Sequence, residues 1–178
     1  MAGRRFAPYT EAGMVEPEPV RSGEFRIDRR RAIELLSRYQ LASPHLFPLP
    51  WIRAAVASGA SGVEALDGRD RFELRFEGLP FAPGELGEPL SSLPADRAEP
   101  RLQELARGAL CAFGAGVDHV FVRAGPAGAR HALKLTRDGE SVEPVVEGET
   151  RVVIGADWGP GGRPAAFDAG IAALGREV

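Results

Sequence analysis

The spacing of apolar side chains divides the chain into helical and extended segments. Ala32, Ile33, Leu36 and Tyr39 fall on one helical stripe with Leu35 beside it. That predicts a helix over 29–40, with Asp28 as its N-cap. Three arginines in its first turn, Arg29 to Arg31, oppose the helix dipole. Pro50 suits a first helical turn, and Ile52, Ala55 and Val56 form a stripe between Trp51 and Ser58 that stops at Gly59. The clearest helix covers 99–113, where Leu102, Leu105, Ala106, Ala109, Leu110 and Phe113 recur at three and four residues before Gly114 and Gly116 end it.

Extended segments alternate instead. Phe72, Leu74 and Phe76 point one way and Glu73, Arg75 and Glu77 the other, so 63–66 and 72–76 read as a half-buried hairpin around Asp67-Gly68. Residues 25–28, 117–123, 129–136 and 151–154 read as further strands, with turns at Gly125-Pro126 and Asp138-Gly139. The proline-rich stretch 78–100 reads as mostly loop with one helical turn near Glu85, and its role as a lid, a binding loop or a disordered segment stays open. Residues 1–23 lack periodicity and read as a flexible arm. The main domain is then 24–158, and 159–178 is a Gly/Pro-rich tail in which Phe167, Ile171 and Leu174 can form a short helix. There is no internal repeat. The order predicts an α+β fold, a two-layer sandwich with helices on one face of a mixed, mostly antiparallel sheet.

Composition narrows the function. A chain of 178 residues that is 44% hydrophobic and 26% charged can bury a real core. Its 22 basic and 25 acidic side chains leave a charge of -3, which argues against general nucleic-acid binding. The single cysteine, Cys111, excludes an internal disulfide and a thiolate metal cage, and its place in an apolar helix makes it a core residue. No signal-peptide pattern and no long apolar run is present, so a soluble cytoplasmic protein with no membrane contact is expected. The chain contains no asparagine, and Lys134 is its only lysine.

Several site chemistries fail on residue type. Lys134 sits in a strand pattern rather than a Gly-rich turn, which excludes a P-loop. Gly114-Ala115-Gly116 follows a helix and lacks the third glycine of a dinucleotide fingerprint. Ser61 lies in a turn, not a nucleophile elbow. His45, His119 and His131 are far apart; His119 and His131 become neighbours only if their strands pair in the right register. The arginine run 29–31 reads as a solvated face.

Two short motifs carry a resemblance. Ala54-Ala55-Val56-Ala57-Ser58-Gly59-Ala60-Ser61 resembles the Asn-x-x-Asp-Ala-Gly-Ala-Thr helix end of the GHKL superfamily, which includes gyrase B, heat-shock chaperones, histidine kinases and MutL. Glu77-Gly78-Leu79-Pro80-Phe81-Ala82-Pro83 resembles that family's Asp-x-Gly-x-Gly-Met-Ser-Pro box after a hairpin. The likeness spans roughly 24–155. It implies an ATP-binding α+β domain in which a glutamate activates water, an asparagine helps hold Mg²⁺, and an aspartate binds the adenine amine.

Carried over position by position, the resemblance places Pro50 at the base, Ala54 at the metal position and Ala57 at the acidic position of the first motif. Phe76 stands at the adenine position and Pro80 at the second glycine, while Gly78 is kept. The chain has no asparagine to restore the metal ligand in any register; only Glu77, beside Phe76, is available to replace the lost aspartate. A filled, dry pocket is expected, without catalytic residues, metal or cofactor, because an unpaired triphosphate there would be costly. The expectation is a non-catalytic domain, a pseudo-ATPase that binds a protein partner or serves as a scaffold. Strand exchange by residues 1–28 would give a homodimer. Three alternatives stay open: an unrelated α+β fold; a nucleotide-binding enzyme or sensor using Glu77 and arginines; and a small-molecule binder around Phe72, Phe76 and Phe81.

Overall fold

The computed structural model describes residues 28–38, 43–87, 89–93, 99–126, 128–145, 148, 150–165 and 167–168. The expected strand at 25–27 and the arm before it lie outside the described residues. Helix α1 (Arg29–Ser37) starts on Asp28, whose carboxylate accepts the Arg31 N–H at 3.3 Å. Its N-terminal arginines, unfavourable to the helix dipole, find acids elsewhere: Arg29 pairs with Glu140, and Arg30 lies 3.9 Å from Asp138. Helix α2 (Pro48–Ala57) starts two residues before Pro50, with both prolines in the first turn, where the missing N–H costs nothing.

The hairpin forms as β1 (Val63–Asp67) and β2 (Arg71–Phe76). The proline-rich stretch holds a short helix, α3 (Pro83–Leu86), and a 3-10 turn at Pro89–Ser92. Helix α4 (Pro100–Gly114) is followed by β3 (His119–Ala124), β4 (Arg130–Leu135), β5 (Glu140–Val145) and β6 (Val152–Asp157). The strands form one sheet in the order β1-β2-β6-β3-β4-β5. Every described pairing is antiparallel, so the parallel component expected in a mixed sheet is not found among these strands. The last strand enters between β2 and β3 and so joins the hairpin to the β3–β4–β5 meander.

Pleating gives the sheet two chemically different faces. Phe72, Leu74, Phe76, Val120, Val122, Leu133, Leu135, Val152 and Ile154 are buried in one core beneath the helices. The other face carries Arg71, Glu73, Arg75, Arg123 and Lys134 around Phe121. The Phe121 ring lies across Gly155, where a β-carbon would come within 2.1 Å of it, and Arg71 and Arg123 stand 5.0 Å from its centroid. Arginine stems thus cover apolar surface that no helix among the described residues covers.

Helices α1 and α2 both pack on α4. The closest approach is Trp51 against Gly108: a β-carbon at 108 would lie 2.3 Å from the indole, whose Nε1–H donates to the Leu105 carbonyl at 3.4 Å. Phe47, Phe72, Trp158 and Phe167 form an aromatic cluster, with the Phe47 and Phe167 centroids 5.2 Å apart. Phe167, assigned to the tail by sequence, is therefore a core residue. Gly108→Ala is expected to destabilise the fold by about 1–3 kcal/mol through overpacking. Its thermal midpoint should fall by roughly 2–12 °C, followed by tryptophan emission.

Candidate functional site

The two GHKL-like motifs meet in space. Pro50 and Ala54 are one helical turn apart on α2 and both are buried, whereas Ala57 is exposed in the last turn. The helix ends on Ser58, whose hydroxyl donates to the Ala54 carbonyl at 2.8 Å. Strand β2 leads Phe76 into the core between Val63 and Val152, and the chain then crosses the end of α2. Leu79 N–H donates to the Ser58 carbonyl at 2.8 Å. Gly78 passes so close that a β-carbon would stand 2.7 Å from the same oxygen, which explains why glycine is kept there.

Beyond Pro80, which is half-buried, the chain turns inward. Phe81 is 0% exposed and Leu86 is fully buried with it. Arg101, itself 5% exposed, closes over this turn from the first turn of α4. Its guanidinium lies 5.1 Å from the Phe81 centroid, donates to the Pro80 carbonyl at 3.2 Å and to Glu99 at 2.7 Å, and pairs with Glu85. Glu85 in turn accepts the Ala82 N–H at 2.6 Å, which starts α3. From the sheet, His131 Nε2 donates to the Phe81 carbonyl at 2.8 Å, so this nitrogen carries the proton. Two cation–carboxylate pairs, a ring contact and backbone bonds hold Phe81 in place.

The chemistry of this arrangement follows from its side chains. Hydrocarbons at positions 50, 54 and 57 neither accept a proton nor ligate a cation. Among the described residues no group of three or more His, Cys, Asp or Glu could hold a metal ion. Glu77 is exposed and lines a cleft of about 280 Å³ with Ser61, Glu64, Arg75 and Arg151. Phe72 and Phe76 are in the core with Phe81, each no more than 1% exposed.

The remaining candidates are placed apart. Strands β3 and β4 pair, but the register sets His131 opposite Ala124 and leaves His119 at the far end, beside Asp157 at 3.9 Å. The two histidines are therefore on opposite faces and do not meet. Lys134 is exposed on β4. Burial pushes the Cys111 thiol up to about 11, with Glu104 adding to the rise and Arg107 opposing it, so it is protonated at neutral pH. Sequence reading missed Arg101 and Glu85 as site residues and weighed His131 only as a neighbour of His119. Arg101 had a signal: it lies one and two turns before Leu105 and Ala109, a cation on an apolar stripe.

No protein-family model and no curated protein matches this sequence significantly. Among solved structures, it is similar to one described as the crystal structure of the N-terminal domain of a DNA repair protein. The TM-score is 0.50 and the identity 9%, over 72% of this chain and 41% of that one. The likeness is one of fold. This chain thus spans less than half the length of that structure, and no helix among its described residues is long and apolar enough to cross a membrane.

Phe81→Ala is expected to cost about 3–5 kcal/mol in denaturant unfolding, the penalty for an emptied aromatic core site. Glu77→Ala should stay within about 0.5 kcal/mol of the parent, as for an exposed residue. Equal, small effects of both would mean that Phe81 is not part of the core.

Proposed function

We propose that this chain is a degenerate GHKL-like domain without ATPase chemistry, which acts as a protein-binding or scaffold module. The observation that carries the reading is the buried turn at Phe81, within the second motif, locked by Arg101, Glu85, Glu99 and His131. The resemblance puts a nucleotide beside this segment. Here the same stretch is filled by a phenyl ring and its own ion pairs. The hydrocarbon side chains at 50, 54 and 57 and the fold likeness to a DNA repair protein's N-terminal domain support the same reading. No cofactor is required by it.

A partner surface lies next to the filled site. Val56 is 65% exposed and Leu79 57% exposed, on the two segments joined by the Leu79–Ser58 hydrogen bond. Exposed apolar side chains on both segments of such a junction favour protein contact over solvent. A second reading has one observation in its favour: the cleft that Glu77 shares with Glu64, Arg75 and Arg151 combines two carboxylates with two guanidinium groups, charges a rewired nucleotide site could use.

Thermal unfolding with and without millimolar Mg-ATP or Mg-ADP separates the two. A ligand at about 100 times its dissociation constant adds roughly 2.7 kcal/mol. At this chain length that would raise the midpoint by about 5–10 °C. No shift with either nucleotide is expected. A rise of that size that disappears in Glu77→Ala would contradict the proposal and favour the second reading.

A further inference from the structure

The two edges of the sheet differ in their ability to accept another strand. Gly68 N–H donates to the Arg71 carbonyl at 2.9 Å, which makes 68 and 71 the bonded pair closing the β1–β2 hairpin. Alternation from that pair directs the backbone groups of Glu64 and Leu66 toward β2 and those of Val63, Ala65 and Asp67 away from the sheet. At the opposite edge Thr136 N–H donates to the Gly139 carbonyl at 2.8 Å, and the same alternation turns Glu140, Val142 and Pro144 outward. Pro144 has no N–H to offer, so β5 is a blocked edge. β1 contains no proline, and β2 is its one partner among the described strands.

Charge does not guard the β1 edge either. Its two carboxylates are neutralised within the chain: Arg151 bonds Glu64 at 2.6 Å, and Arg163 grips Asp67. The middle residue, Ala65, is small and exposed.

We propose that β1 pairs with β1 of a second copy of this chain, antiparallel about a two-fold axis at Ala65, so that one sheet runs through both copies. In that register Val63 faces Asp67 of the second copy, Glu64 faces Leu66, and the outward N–H and C=O groups of Val63, Ala65 and Asp67 all find partners. Moving the axis to Glu64 shortens the ladder and sets glutamate against glutamate, and moving it to Leu66 shortens it equally. The charges and the alternation therefore select one register and a closed, isologous dimer. This goes beyond the pocket reading and is independent of it.

Sedimentation of the full chain from low micromolar to sub-millimolar concentration tests the proposal. The expected result is a reversible rise toward twice the 19.0 kDa chain mass. Ala65→Pro removes an outward N–H without touching the β1–β2 ladder, and should weaken association at least about tenfold with unchanged circular dichroism. Ala65→Lys places two ammonium groups together at the axis and should weaken it similarly, most strongly at low salt. If the proline variant does not fold, the lysine variant decides. A chain that stays monomeric throughout, or a dimer that survives the substitutions, would overturn the proposal.

Discussion

Trp51 against the bare backbone of Gly108 sets how closely α2 and α4 approach, and the rest of the helical layer is arranged around that distance. With the indole wedged there, Ala54 and Ala55 are driven to zero exposure, and α2 spends its whole inner face on hydrophobic contact. A helix used in this way has no room for an inward-facing glutamate or asparagine. The hydrocarbon side chains at Pro50 and Ala54 and the tight helix packing are thus two views of one constraint.

The turn that follows the hairpin obeys the same logic. Gly78 lets the chain pass the end of α2, the Leu79–Ser58 hydrogen bond holds it there, and Phe81 completes the core. A buried arginine is expensive unless its donors are satisfied, and Arg101 meets that requirement with two carboxylates, a carbonyl and a ring face. Such a network holds the turn against the start of α4.

Much of the fold was legible in the sequence because its periodicities are strong. The α4 repeat and the Phe72–Leu74–Phe76 alternation each describe a buried face, and both elements form where expected. Strand β5 escaped notice because Glu-Ser-Val-Glu-Pro-Val carries charges and a proline; the proline is tolerated because its position faces away from β4. The insertion of β6 between β2 and β3 was hidden for a different reason. Local patterns specify strands but not their neighbours, and this placement makes the sheet antiparallel throughout its described pairings. Register likewise separated His119 from His131, which no spacing in the sequence could reveal. At the site, the hydrocarbon side chains at 50, 54 and 57 were readable residue by residue. The groups that hold the Phe81 turn, Arg101 from α4 and His131 from β4, come from distant segments and needed the fold.

The central claim is that the segment after the hairpin is core rather than a nucleotide lid. Amide hydrogen exchange of Leu79, Glu85 and Leu86, measured with and without Mg-ATP, tests it most directly. Their N–H groups bond to the Ser58 and Ala82 carbonyls. The account predicts protection close to that of β2 and α4, unchanged by nucleotide. Fast exchange in the free protein that slows on adding Mg-ATP would contradict it.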